Sequence, residues 1–182
     1  MKKRTILDAK GVSEHIRKIA EQITHENGPG QAVVLVGIRT GGAFLAARLQ
    51  KVMAELNPFP PSLGIVDITL YRDDWTRMAP TPVVGKTELP FSLDDKVVIL
   101  VDDVLFTGRT VRAAMDALID YGRPRKIELA ILADRGDDYR ELPIKANYVG
   151  GVWGTFPEQT INVYLEEEGF DDHVAIETQK AS

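Results

Sequence analysis

The sequence predicts an α/β fold with a central, mostly parallel sheet flanked by helices, and two patterns carry that prediction. Unbroken apolar runs alternate with stretches whose apolar residues recur at three- and four-residue steps, and glycine or proline stands at most of the joints. A run without polar interruption is what a strand covered on both faces requires, because neither side of it meets water.

Taken in order, Val12, Ile16, Ile19 and Ile23 form the apolar stripe of a first helix, which should stop at Asn27-Gly28-Pro29-Gly30. Residues 32–36 read as the first core strand and 43–53 as the next helix, with Phe44, Leu45, Leu49 and Val52 on its apolar side. A second strand is expected at 65–71. The stretch 72–94 contains Pro80, Pro82, Gly85 and Pro90 and keeps no period, so it reads as a functional or mobile connection. Residues 97–101 are the third strand, 110–121 the third helix, closed by Gly122 and Pro124, and 127–133 the fourth strand. Shorter strand-like pieces follow at 146–149, 161–165 and 174–176.

At 182 residues the chain is the length of one domain, 1–182. A hydrophobic fraction of 44% with 27% charged residues excludes a disordered chain. Cysteine is absent, which excludes a disulfide scaffold, a thiolate metal site and a cysteine nucleophile together. No apolar run approaches the ~20 residues of a membrane span, and the basic start Met1-Lys2-Lys3-Arg4 leads to Asp8 rather than to a signal-peptide core. A cytoplasmic setting is expected. The net charge of −5 argues against generic nucleic-acid binding.

The informative segment is Val98-Ile99-Leu100-Val101-Asp102-Asp103-Val104-Leu105-Phe106-Thr107-Gly108-Arg109-Thr110. A buried strand delivers two adjacent carboxylates, and a small-residue turn then opens into a helix. Such a turn gathers the backbone N–H groups of Thr107 to Thr110 at a helix N-terminus, where the dipole and two hydroxyls favour a phosphate. The adjacent carboxylates suit the vicinal hydroxyls of a ribose. A bare Asp-Asp followed by Thr-Gly is more often a turn cap; the apolar strand before it and the helix after it favour a ribose 5-phosphate site. No G-x-x-x-x-G-K occurs, so nucleoside triphosphatase chemistry lacks its main support.

These thirteen residues resemble the signature of type I phosphoribosyltransferases. With Val36-Gly37-Ile38-Arg39-Thr40-Gly41-Gly42, Asp67-Ile68-Thr69-Leu70-Tyr71-Arg72-Asp73-Asp74, Asp134-Arg135-Gly136 and Arg140-Glu141-Leu142-Pro143-Ile144, the chain is similar to the bifunctional pyrimidine-operon regulator/uracil phosphoribosyltransferase family. The resemblance covers about residues 5–150 well and the tail loosely. It implies the type I fold, with a hood over the site built from the terminal regions, the hood and C-terminal strands spanning 134–182. It also implies conversion of uracil and 5-phosphoribosyl 1-diphosphate (PRPP) to UMP and diphosphate.

On the same footing, Asp102, Asp103, Val104, Leu105, Phe106, Thr107, Gly108, Arg109 and Thr110 would hold the 5-phosphate and ribose, and Arg39, Thr40, Gly41 and Gly42 the diphosphate. The resemblance makes 72–94 a flexible lid loop with Arg72 and Arg77 as its cations, and Arg72, Asp102 and Asp103 are the catalytic candidates. Phe106, Asp134 and Arg135 would face the base. Phe106 stands where the purine relatives have an acid and the pyrimidine family usually a tyrosine, which disfavours a purine. Magnesium would ride in on the diphosphate; His15, His25 and His173 sit in different regions.

The family also implies leader mRNA as a partner, UMP as product or effector, and a homodimer or larger assembly. Arg17, Lys18, Arg140 and Lys145 are the cations offered to RNA. Against that role, Glu21 stands where the family has a histidine and Gly151 where it has a lysine, the 135–140 block gains two acids, and the tail at 166–172 is acidic. Thr40-Gly41-Gly42 also replaces the usual Thr-Arg-Gly. Three readings stay open: a uracil phosphoribosyltransferase, a nucleotide-sensing RNA-binding regulator with minor transferase activity, and a phosphoribosyltransferase for another base.

Overall fold

The computed structural model describes residues 2–28, 32–72 and 85–178. In chain order the elements are β1 (Lys2–Leu7), α1 (Ala9–Asn27), β2 (Val33–Ile38), α2 (Gly41–Leu56), β3 (Ser62–Val66), β4 (Val97–Leu105), α3 (Arg109–Ile119), β5 (Lys126–Asp134), β6 (Tyr148–Val152), β7 (Gln159–Tyr164) and β8 (His173–Thr178).

The apolar strands behave as their composition requires. β3, β2, β4, β5 and β6 lie side by side in that order, every neighbouring pair parallel. Alternation splits each strand between two cores: Val97, Ile99 and Val101 of β4 pack with α1 and α2, while Val98, Leu100 and Leu105 pack with α3. The α/β fold expected from sequence is therefore the one observed. Asp8 starts α1 by accepting from the Gly11 N–H at 2.8 Å, and Gly28 ends it at φ 60°.

The topology decides where a site can form. From β2 the chain steps through α2 to β3 on one side, then returns to the other side of β2 for β4, α3 and β5. The loops leaving β2 and β4 diverge, which opens a crevice beyond the carboxyl ends of those two strands.

A second sheet, antiparallel in the order β1-β8-β7, joins the two ends of the chain. Ile161, Val174 and Ile176 seat it in the α1–α2 core. Arg48 of α2 fastens the turn before β8: it donates from Nε and Nη2 to Glu167 at 2.8 and 2.5 Å, and from Nη1 and Nη2 to Asp172. This two-carboxylate grip raises the Arg48 pKa and holds Glu167 and Asp172 below the usual carboxylate range.

One expectation needs correcting. The strand expected at 65–71 lies at Ser62–Val66, because Asp67 accepts from the Thr69 N–H at 2.9 Å and turns the chain out of the sheet. The segment 134–182 divides between the two sheets: β6 belongs to the main sheet, and β7 and β8 join β1. β1 itself has no counterpart among the expected elements. Pro29, Gly30 and Arg77 lie outside the described residues. No helix among the described residues is long and apolar enough to cross a membrane.

Arg48→Ala should cost about 2 kcal/mol, the scale of hydrogen bonds to charged groups. Because the partner carboxylates titrate low in the folded chain, this stabilisation is present above their ordinary pKa and fades as pH falls through the lowered values. Thermal melts of both proteins should thus differ at pH 7 and converge in acid; an equal gap at pH 7 and pH 3 would remove Arg48 from this role.

Candidate active site

β4 does not stop where its apolar run ends. Its ladder with β5 continues through Asp102 opposite Ile131, Val104 opposite Ala133 and Leu105 opposite Asp134, so the acid pair sits inside a strand. Asp102 is 7% exposed. Its Oδ1 accepts from the Asp103 N–H at 3.0 Å, and Asp103 Oδ1 accepts from the Val104 N–H at 2.7 Å. No described residue forms an ion pair with either. Burial, and then the charge of Asp103, pushes Asp102 well above the usual carboxylate range, and burial also raises Asp103. Carboxylates desolvated without a cation cost stability, and groups perturbed in this way concentrate at functional sites.

After Leu105 the chain turns through Thr107 and Gly108. Gly108 has φ 91°, a left-handed conformation that a side chain would strain, and α3 begins at the next residue with no side-chain cap. Thr107 Oγ1 accepts from the Arg109 N–H at 3.3 Å. A cavity of about 320 Å³ opens here, lined by Arg72 and residues 104–111. The start of an 11-residue helix whose N-cap glycine has no side chain to offer, facing a cavity, forms an anion-binding arrangement.

The second loop arrives from β2. α2 also starts without a side-chain cap, at Thr40. A Cβ on Gly41 would lie 2.8 Å from Asp103 Oδ2, and one on Gly42 2.3 Å from the Val101 carbonyl oxygen. Only glycine allows this approach, and it brings the start of α2 directly against the acid pair. Arg39 stands beside it, donating from Nη2 to the Lys86 carbonyl at 3.0 Å, with Nε 3.9 Å from Asp67. Asp67 Oδ2 in turn accepts from the Gly85 N–H at 3.1 Å.

Beyond Leu105 lies an aromatic group. Phe106 is 38% exposed, with the Arg135 guanidinium carbon 3.8 Å from its ring centroid and the Tyr139 ring at 5.7 Å. Arg135 is buried, so it backs Phe106 instead of projecting into solvent. Asp134 Oδ1 already accepts from Arg140 Nη2 at 2.8 Å and from the Gly136 N–H at 2.8 Å.

The structure thus gathers residues 39–42, Arg72, the acid pair and residues 104–110 at one end of the sheet, with Asp134 and Arg135 below Phe106. Arg140 is a correction. Offered to RNA from the sequence, its side chain is only 9% exposed and donates to the Phe106 carbonyl at 2.5 Å as well as to Asp134. Arg17 pairs with Glu55 at 2.7 Å, Lys18 donates to the Gly150 carbonyl at 3.3 Å, and Lys145 is exposed. A side chain at Gly151 would strike the Trp153 ring.

Sequence reasoning missed Tyr139, Thr155 and Asp67. A usable signal existed for the first: the segment after β5 must begin at the carboxyl end of the sheet, where the site is, before crossing to parallel β6.

The family described as phosphoribosyl transferase domain matches residues 3–165 of the chain. The bifunctional protein PyrR of Desulfosudis oleivorans is 48% identical over 179 residues, covering 98% of both chains. Its namesake in Geobacter sulfurreducens is 49% identical over 172 residues, covering 94% of this chain and 96% of that one. Among solved structures, the orthorhombic form of a Staphylococcus aureus hypoxanthine phosphoribosyltransferase superposes with a TM-score of 0.66 at 23% identity, covering 87% of this chain and 80% of that one. A Trypanosoma cruzi hypoxanthine phosphoribosyl transferase gives 0.67 at 18% identity over 84% and 78%. At those identities the structural likeness speaks for the fold alone.

Asp102→Asn should raise the melting temperature at pH 7. The folded pKa of Asp102 is raised, so the folded chain binds more protons than the unfolded one above the ordinary carboxylate pKa, and wild type loses stability as pH climbs through that window. Removing about 1 kcal/mol of that burden moves the melt up by about 2–4 °C in a domain of this size. The advantage should vanish in acid; a variant that melts lower than wild type at pH 7 would refute the account of the pair.

Proposed function

Since the chain belongs to the phosphoribosyl transferase domain family, and within it to the bifunctional PyrR group, we propose that it is a uracil phosphoribosyltransferase making UMP and diphosphate from uracil and PRPP. The observation that carries this reading is the contact of Gly41 and Gly42 with the acid pair. It sets the start of α2 against one buried and one half-buried carboxylate, with the start of α3 on the adjoining cavity, which matches a ligand with a phosphate at one end, a diphosphate at the other and a diol between.

In this reading the N–H groups of Thr107 to Thr110 hold the 5-phosphate, and residues 39–42 hold the diphosphate through backbone donors. Asp102 and Asp103 accept hydrogen bonds from the ribose hydroxyls. As the bond from C1 to the diphosphate oxygen breaks, positive charge develops on the ribose ring. Preorganised carboxylates beneath that ring stabilise it without rearrangement. Uracil N1 then forms the new bond to C1 and its proton leaves to water. Arg72 lines the same cavity as residues 104–111, so it supplies a cation on the side of the 5-phosphate.

Among the described residues no three His, Cys, Asp or Glu gather into a cage for a metal ion. Magnesium would ride in on the diphosphate and neutralise its charge, with Asp102 and Asp103 the carboxylates that would face it. Phe106 neither donates nor accepts, so it offers the base an apolar face and no partner for a purine ring nitrogen. A cytoplasmic homodimer or larger assembly completes the proposal. RNA regulation draws less support, because Arg17, Lys18 and Arg140 are all engaged within the chain.

The test is to incubate the purified protein with magnesium, PRPP and uracil, hypoxanthine or guanine. UMP from uracil, with no nucleotide from either purine, is the expected result. Nucleotide from a purine would overturn the base assignment, and UMP binding without turnover would make the protein a sensor that kept the site and lost the chemistry.

A further inference from the structure

Arg135 is charged, 5% exposed, and in no ion pair with any described carboxylate. Its guanidinium is held along one edge instead: Nε and Nη2 donate to Thr155 Oγ1 at 3.0 and 2.8 Å, and Nη2 to the Gln159 carbonyl at 2.7 Å. Its flat face rests on the Phe106 ring, at 3.8 Å from the centroid. Tyr139 meets the same ring at 55°, and its Oη donates to the Thr155 carbonyl at 3.0 Å. Thr155 therefore holds both neighbours of Phe106, one through its side chain and one through its backbone. The Phe106 main chain is fixed separately, by Arg140.

We propose that Thr155 is a positioning residue for base selection: through Arg135 and Tyr139 it fixes the Phe106 ring at the base end of the cavity. Two features of the geometry support a task beyond packing. Phe106 stays 38% exposed and lines the cavity although two groups press on it, so its orientation is imposed where a ligand would meet it. Burying an arginine to support one aromatic ring is also an expensive way to fill space, since an aliphatic side chain would pack without desolvating a charge. The cation lends the ring both a fixed plane and an electrostatic partner on its covered face. A free ring would still cover apolar surface but would lose its selectivity by angle.

This inference rests on the assignment of Phe106 to the base, and binding can test it apart from turnover. Calorimetric affinities of UMP and ribose 5-phosphate are compared, because their ratio isolates the contribution of the base. Thr155→Val keeps the shape and deletes the acceptor. It should lower UMP affinity about tenfold, the scale of losing a hydrogen bond to a charged group, with ribose 5-phosphate affinity held within about twofold. Thr155→Ser should restore wild-type binding.

Tyr139→Phe removes only the second arm and should lower UMP affinity less, in the same direction; it keeps the test valid if the valine variant fails to fold. A parallel loss for both ligands, or an unchanged ratio in a folded variant, would overturn the proposal, as would a wild type that binds UMP no tighter than ribose 5-phosphate. Tight UMP binding with the expected variant pattern but no turnover of uracil would defeat the transferase reading and leave the positioning role standing.

Discussion

Two carboxylates stand next to each other inside a parallel strand without a cation among the described residues, and the rest of the molecule is arranged around that constraint. An isolated buried charge is among the costliest groups a fold can carry, and two in adjacent positions add mutual repulsion. Burial raises the pKa of both, and the protein offsets their cost by embedding them in the central strand of its main sheet. β4 is central, with β2 on one side and β5 on the other, and its apolar residues fill two separate cores. A strand at the edge of the sheet would have fewer contacts to offset the same cost.

The glycines follow from the same constraint. Gly41 and Gly42 are the points where α2 touches the acid pair, and a methyl group at either would push the helix start away from it. Gly108 performs the matching task on the other side, where a left-handed residue lets α3 begin at once. One helix N-terminus thus abuts the acid pair and the other opens on the cavity beside it, and the positive ends of their dipoles favour anions at both places. The small antiparallel sheet, fastened by Arg48, closes the core of α1 and α2 on the flank away from α3.

The β4–α3 segment was legible because local chemistry alone defines it: an apolar run, two acids, then a turn that only small residues can make. The stripe of α1 is equally local. What failed to show depended on contacts far along the chain. β1 begins with four consecutive exposed residues, Lys2 to Thr5, and becomes a strand only because β8 offers it an edge. The end of β3 was misplaced because Asp67, read as part of an apolar strand, bonds its own backbone and leaves the sheet. Arg135 reads in sequence as facing the base and Arg140 as a cation offered to RNA; the contacts that hold them inward run to Thr155, Asp134 and the Phe106 carbonyl, which no spacing rule brings together.

The account turns on one claim, that the acid pair is the seat of a ribose held between two helix starts. The most direct measurement is the crystal structure of the protein with magnesium and PRPP. It should show the ribose hydroxyls within hydrogen-bond distance of Asp102 and Asp103, the 5-phosphate on the N–H groups of Thr107 to Thr110, and the diphosphate at residues 39–42. A ligand bound elsewhere, or one seated with its ribose away from the two carboxylates, would contradict it.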